Sequence, residues 1–265
     1  MIGIIDGDSL PYIIGYNNQG TPVDQPNIVA QQTNEFVERI LNDTGVTEYI
    51  GFLGNSGYTF RHLSTLESYS QGSGKLYKGN RGLKGPDWYS QWGGVIKAQL
   101  TFKWGFKLVP GYIEADDAVS IVAHACRKAG KDYVIIGNDK DLHQVPGKHY
   151  NFKTGKKEDI DVDRASYLKY KQVLMGDTTD NIEGLPGIGP KKAEKILADS
   201  NNTASNKYVA LSAYIDKFGE RDGVLKFAET VRLISMLENI NQMPEVDAQQ
   251  LDLTTIKRPA KLDIF

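Results

Sequence analysis

Glu114-Ala115-Asp116-Asp117 places three carboxylates within four residues, and Ala118, Val119, Val122 and Cys126 then recur at roughly helical spacing. The pattern predicts a helix whose N-terminus carries the acids. Acids there also act as plain caps, because a helix N-terminus attracts negative charge with or without a metal. Both readings stay open for this cluster taken alone. Other acids recur where an α/β fold would aim them at the same point. Asp6 ends the apolar run Ile2 to Ile5, and Asp139 and Asp141 follow the apolar run Tyr133 to Ile136. Open parallel sheets place ligand sites beyond the carboxyl ends of their strands. On an extended backbone Asp139 and Asp141 point to one side. Asp177 and Asp180, a helical turn apart, can also share a face.

Carboxylates gathered in this way repel one another and hold protons unless cations are present. Hard divalent ions meet that need, since Mg²⁺ and Mn²⁺ prefer carboxylate and water oxygens. The four histidines, His62, His124, His143 and His149, are scattered and form no zinc-type set. Two further motifs suit an anionic partner. Gly184-Leu185-Pro186-Gly187-Ile188-Gly189-Pro190-Lys191-Lys192-Ala193 reads as a Gly-rich hairpin opening a helix. Such a hairpin presents backbone amides to a phosphate, and Lys191, Lys192 and Lys195 add backbone affinity without reading bases. A tight structural turn is the plain alternative. In Tyr77-Lys78-Gly79-Asn80-Arg81, Lys78 and Arg81 are placed to clamp a phosphate and stabilise developing charge. A solvated basic loop is the alternative there.

The elements that must position these residues alternate strand and helix, which argues for a mostly parallel α/β sheet. Ile2 to Ile5 and Tyr49 to Leu53 read as buried strands, and the apolar N-terminus as far as Gly15 reads as strand rather than signal peptide. A helix is expected from about Asn27 to Asn42, with Ile28, Phe36, Val37, Ile40 and Leu41 inward. Tyr58 to Leu63 reads as extended. The stretch from Lys75 to Lys107 holds seven Lys/Arg against one acid, Asp87, interleaved with Tyr77, Trp88, Tyr89, Trp92, Phe102, Trp104 and Phe106. Its glycines and Pro86 argue against one long helix and for a mobile, partly helical arch whose aromatics stack unpaired bases. From about Asp163 the pattern is helical: Ala165 to Met175, Lys191 to Leu197, Lys207 to Phe218 and Gly223 to Leu237. Ser200 to Asn206 reads as a polar loop. The expected divisions are residues 1–160 for the α/β core, with 75–110 as the basic arch segment. Residues 161–245 form the helical region and 246–265 a tail.

With 265 residues, 40% hydrophobic and 24% charged, the chain can bury a substantial core. Its single cysteine excludes an intrachain disulfide framework, and no apolar run approaches membrane-spanning length. A cytoplasmic protein with no membrane partner is expected. The net charge of −2 decides nothing about nucleic acid; its uneven distribution suggests anionic partners and bound cations.

Ile5-Asp6-Gly7, Tyr77-Lys78-Gly79-Asn80-Arg81, Glu114-Ala115-Asp116-Asp117, Asp139-Lys140-Asp141-Leu142 and Gly176-Asp177-Thr178-Thr179-Asp180-Asn181-Ile182, running into the Gly184 hairpin, occur in that order. This set resembles the 5′-nuclease (flap endonuclease) family, in particular its bacteriophage and DNA polymerase I branch, over about residues 2 to 200. The resemblance implies a PIN-like α/β core, with a mostly parallel sheet flanked by helices, joined to a helix–three-turn–helix element. It implies metal-dependent 5′→3′ exonuclease or flap endonuclease activity on branched or nicked DNA; a nuclease directed mainly at RNA primers in RNA–DNA hybrids is a close alternative, since the same metals cleave RNA and DNA. Asp6, Glu114, Asp116, Asp117, Asp139, Asp141, Asp177 and Asp180 would hold two Mg²⁺ or Mn²⁺, directly or as supports. Lys78 and Arg81 would be the active-site cations. Tyr77, Lys84, Gly184, Gly187, Gly189, Lys191 and Lys192 would contact DNA, with K⁺ at Gly184, Gly187 and Gly189. The implied mechanism is two-metal hydrolysis, which needs no protein nucleophile. The protein would act as a monomer in a bacterial or phage-infected cytoplasm, alongside replication proteins.

One departure stands out: the family usually carries an aspartate after the second strand, where this chain has Asn55. A flap- or junction-binding protein with impaired cleavage is therefore the alternative. Asp8 lies outside the shared pattern and is not assigned to the site. Gln250-Leu251-Asp252-Leu253 faintly resembles a sliding-clamp-binding peptide without its terminal aromatic, against the simpler reading of an ordinary tail.

Overall fold

The apolar N-terminal run forms β1 (Ile2–Asp6), and its central place in the sheet decides where everything else converges. The structure is a computed structural model describing residues 1–55, 57–72, 74–80 and 86–242. After β1 come α1 (Leu10–Asn17), α2 (Pro26–Thr44), β2 (Glu48–Leu53), α3 (Phe60–Ser70), α4 (Asp87–Phe102) and β3 (Lys107–Leu108). Then follow α5 (Ala115–Lys128), β4 (Tyr133–Ile136), a 3₁₀ turn (Lys140–Gln144), β5 (Gly147–Tyr150) and β6 (Lys157–Ile160). Among the described residues these six strands form one sheet in the order β3-β2-β1-β4-β5-β6. All pairs are parallel except β5 with β6. Ile4 of β1 pairs with Ile50 and Ile135 on its two sides, so the β1 and β4 ends that carry Asp6 and Asp139 emerge together.

Alternation along β1 splits the core into two layers. Ile4 enters a cluster with Val119, Val122 and Cys126 of α5. Ile5 faces Leu10 and Ile14 of α1, Val37 and Ile40 of α2, and Trp92 and Ile96 of α4. Beyond β6 the chain continues as α6 (Val162–Met175), β7 (Gly176–Asp177), β8 (Ile182–Glu183), α7 (Pro190–Ile196), α8 (Thr203–Phe218) and α9 (Glu220–Ile234). Tyr170, Val173 and Leu174 of α6 pack with Tyr214 and Phe227 in a third cluster, which also takes in Tyr77. Among the described residues, no helix is long and apolar enough to cross a membrane.

Four expectations are corrected. The N-terminal strand stops at Asp6, and Leu10 to Asn17 is helix, with Pro11 in its first turn where a missing N–H costs nothing. Tyr58 to Leu63 is not extended: Thr59 and His62 form a reciprocal cap that starts α3. The arch segment contains a 16-residue helix in spite of Gly93 and Gly94. Trp92, Ile96 and Leu100 recur one turn apart and are all buried, and the Trp92 indole N–H donates to the Asn18 carbonyl at 3.0 Å. Burial outweighed the local cost of two glycines. Finally, α8 already begins at Thr203, because Asn202 and Ser205 cap it reciprocally. Within the arch, Arg81 and Lys84 lie outside the described residues, as does the tail with Gln250 to Leu253.

If α4 is core rather than a loose arch, Trp92→Ala should cost about 3–5 kcal/mol in urea unfolding. A solvent-facing base-stacking residue would change stability by less than about 0.5 kcal/mol.

Candidate active site

Strand ends, a helix N-terminus and a hairpin turn bring the acids to one edge of the sheet. Asp6, at the end of β1, is 5% exposed, and its Oδ1 accepts the Asp8 N–H at 3.1 Å. Glu114 caps α5, and Asp117 returns its Oδ2 to the Glu114 N–H at 3.2 Å. Carboxylate oxygens of Glu114, Asp116 and Asp117 lie within 4.8 Å of one another. Asp139 and Asp141 sit not on an extended backbone but across the start of the 3₁₀ turn, where Asp139 Oδ1 accepts the Asp141 N–H at 2.9 Å. Asp177 and Asp180 likewise occupy the β7–β8 turn rather than a helix, and Asp177 Oδ1 accepts the N–H groups of Thr179 and Asp180 at 2.8 and 3.2 Å. Turn geometry, not helical periodicity, makes the last pair converge.

Four side chains join these groups. Arg61 of α3 donates to both Asp117 oxygens at 2.7 and 2.8 Å and to Glu114 at 2.9 Å. The Tyr77 hydroxyl lies 2.8 Å from Glu114 Oε2 and 3.0 Å from Asp180 Oδ2. At 3% exposure its ring is buried, which corrects the expectation of a DNA-facing Tyr77. Lys78 pairs with Glu114 and lies 3.8 Å from Asp180. Its backbone is left-handed at φ 54°, held by its N–H donating to the Asp180 carbonyl at 2.8 Å. Gln172 of α6 donates from one amide nitrogen to Asp141 and Asp177, at 3.0 and 3.1 Å. Asp116, Asp141, Asp177 and Asp180 thus line one small cleft with Tyr77 and Gln172.

The electrostatics divide the acids. Burial, then the adjacent Asp8 carboxylate, lifts Asp6 from its usual 3.8 to about 7. Burial, then Asp117 and Glu114, raises Asp116 well above its ordinary range. Burial and Asp139 lift Asp141 to about 6 against the opposing Gln172 bond. Glu114 goes the other way: burial opposes its charge, but Arg61 and Lys78 hold its carboxyl below the usual value. The donor set fits hard divalent cations. It is all-oxygen, and three of its members bind protons where positive charge is lacking.

Sequence reasoning singled out neither Arg61 nor Gln172, and it set Asp8 outside the site. A lone Arg between Phe60 and His62 and a Gln within a helix carry no motif. The repeat Asp6-Gly7-Asp8 was the one visible signal. In the hairpin, Gly184 is required because a Cβ would overlap the backbone of Met175 and Gly176. Gly187 turns the chain at φ +76°, and its carbonyl accepts the Lys192 ammonium at 2.9 Å. Gly189 caps α7, and Lys191 is exposed beside it.

Fold and site together define a PIN-like α/β protein with an acidic centre at the carboxyl edge of its sheet. DNA polymerase I of Rhizobium leguminosarum is 27% identical over 224 residues, covering 78% of this chain and 20% of the polymerase. The flap endonuclease Xni of Shewanella loihica is 30% identical over 161 residues, covering 56% of this chain and 59% of Xni. The chain thus spans about a fifth and three fifths of these curated relatives. In fold it is similar to the T5 D15 protein co-crystallised with metal ions, at a TM-score of 0.66 and 18% identity over 89% of each chain. No family model matches. These likenesses, in sequence and in fold, support a 5′-nuclease family for the chain.

Two outcomes are expected. Arg61→Met would leave Asp117 charged at 0% exposure, so urea unfolding should show a loss of about 3–5 kcal/mol, partly recovered by adding Asp117→Asn. The second concerns pH. Asp6 and Asp141 bind protons more tightly folded than unfolded, so the stability they contribute is full below about pH 4 and lost as pH rises through about 6 to 7. In chelator the thermal midpoint should fall from pH 5 to pH 8, and Asp6→Asn should flatten that slope. Mg²⁺ should raise the midpoint more at pH 8 than at pH 5, as scanning fluorimetry would show.

Proposed function

We propose that the chain is a divalent-metal-dependent, structure-specific 5′ nuclease acting on the 5′ ends or flaps of branched or nicked DNA, with RNA primers as a further substrate. One observation carries this reading: Lys78 is fastened between Glu114 at the start of α5 and Asp180 of the β7–β8 turn. A cation set among metal-competent carboxylates is the arrangement needed to receive a phosphodiester and offset its charge. Asp6, Glu114, Asp116, Asp139, Asp141, Asp177 and Asp180 hold two Mg²⁺ or Mn²⁺ ions in this reading. Bound there, the ions supply an activated water and neutralise the departing oxygen.

The chain's own residues position and discriminate. Asp117 acts through Arg61, keeping the start of α5 and its acids in place. The Tyr77 hydroxyl and the Gln172 amide keep the carboxylates of the helical region turned toward those of the sheet. Lys78 exchanges its contact with Glu114 for the incoming phosphate, and Arg81 is the second cation of this reading. Lys84 and exposed Lys191 follow the DNA backbone. The Gly184 to Gly189 hairpin takes K⁺ next to the duplex, as a helix–three-turn–helix element. Residues 1–160 form the nuclease core and 161–245 the duplex-binding region.

A 5′-flap duplex labelled at either end, incubated with Mg²⁺ or with chelator, tests the proposal. The expected result is a Mg²⁺-dependent product cut near the junction. Lys78→Ala should lower kcat/KM by about 10²–10³-fold while Mn²⁺ binding persists. Tight flap binding with no cleavage, even in Mn²⁺, would instead identify a structure-specific binding protein, with the neutral Asn55 as its reason.

A further inference from the structure

Among the described residues, two that are not glycine have a left-handed backbone, Lys78 at φ 54° and Asn181 at φ 60°, and hydrogen bonds set them against each other. Lys78 stands third in a turn that Gly79 closes by donating its N–H to the Leu76 carbonyl at 2.9 Å. With positive φ that place favours glycine or asparagine, and a lysine keeps it only where its surroundings over-determine it. Asn181 is the last residue before β8, and asparagine tolerates the left-handed region. The two turns are joined reciprocally. The Lys78 N–H donates to the Asp180 carbonyl at 2.8 Å, and the Asn181 side-chain amide donates to the Leu76 carbonyl at 2.9 Å. Leu76 therefore receives both the bond that closes the lysine turn and the bond that fastens it beside the acids. Two further links join the same segments: the Asn80 amide donates to the Thr178 carbonyl at 2.8 Å, and Lys75 pairs with Glu183 at 2.8 Å. Asn80, Lys75 and Glu183 are all exposed, where water competes and such contacts contribute little. Asn181 and Leu76 are half-buried, so water replaces their bond less readily.

We propose that Asn181 is the positioning residue for Lys78. Its amide clamps the Leu76 carbonyl and so fixes the turn from which the Lys78 ammonium reaches between Glu114 and Asp180, the place where it would meet a phosphate. Without that amide the lysine turn keeps its own N–H bond to Asp180 and the exposed links, and the ammonium is free to swing away. This rests on the nuclease reading above.

The test compares the full chain as wild type, Asn181→Gly, Lys78→Ala and the double variant on a labelled 5′-flap duplex. Mn²⁺ affinity is followed by calorimetry, and labelling of Lys78 by an amine-reactive reagent is timed by mass spectrometry. Glycine adopts a positive φ without strain, so Asn181→Gly removes the amide and keeps the turn. Its kcat should fall about 10- to 100-fold with KM nearly unchanged. Lys78 should be labelled several-fold faster, while Mn²⁺ affinity stays at the wild-type value. In the Lys78→Ala background the same substitution should lower kcat by less than about twofold more, because the residue it acts through is gone. An unchanged kcat in Asn181→Gly would overturn the proposal. So would a full loss repeated in the Lys78→Ala background, or a weakened Mn²⁺ affinity, since Asn181 would then act through Asp180 and the metals. A wild-type chain that cuts no flap would sink the nuclease reading alone. The labelling rates would still decide the role of Asn181, and equal rates in wild type and Asn181→Gly would overturn it.

Discussion

The fork between Arg61 and Asp117 is the contact on which the rest of the centre depends. Both partners are almost wholly buried, and together they fix three parts of the chain. Asp117 closes the cap at the start of α5 and accepts the Leu237 N–H at 3.1 Å. Arg61 donates to the carbonyls of Leu233 and Ser235 at 2.9 and 2.8 Å, holding the chain where α9 ends. Taking two charges out of water is expensive, and a well-packed apolar pair often does as well for stability alone. What an apolar pair would not provide is a cation beneath Glu114. Arg61 supplies one, and Glu114 remains ionised in an environment that would otherwise protonate it.

The remaining acids follow from how far that compensation extends. Glu114, Asp117 and Asp180 have protein cations within reach, in Arg61 and Lys78. Asp6, Asp116 and Asp141 are buried and crowded by other carboxylates, which raises the pH at which each gives up its proton. A site arranged only for stability would neutralise these groups or replace them. Their shared edge, their oxygen-only chemistry and their incomplete neutralisation all favour hard divalent ions.

The helical region is joined to the sheet by polar contacts as well as by packing. Gln172 spans Asp141 and Asp177, the Tyr77 hydroxyl spans Glu114 and Asp180, and Asn80 and Asn181 tie residues 76–80 to the β7–β8 turn. Lys78 keeps its left-handed backbone because these bonds over-determine it. An acid on one side and its partner on the other can therefore keep their spacing only while both halves are folded.

Chemistry in this chain was legible from residue type and spacing, because charge is local to a residue. The acids, the Lys78 motif and the Gly184 hairpin could all be named from the sequence, and strands such as Tyr133 to Ile136 announced themselves by continuous apolar character. What the sequence left undecided were features set by distant partners. Burial of Trp92 against α1 made a helix from a Gly-containing basic segment, and a reciprocal cap made a helix of Phe60 to Ser70. Turns, rather than regular backbone, aligned Asp139 with Asp141 and Asp177 with Asp180. Arg61, Gln172 and Asp8 gained their places only once α3, α6 and the ends of β1 and β2 were brought together. The sequence by itself determined which charges the protein carries and the family they indicate. Tertiary structure alone decided which of those charges are compensated, because a carboxylate's state depends on the burial and counter-charges that folding delivers.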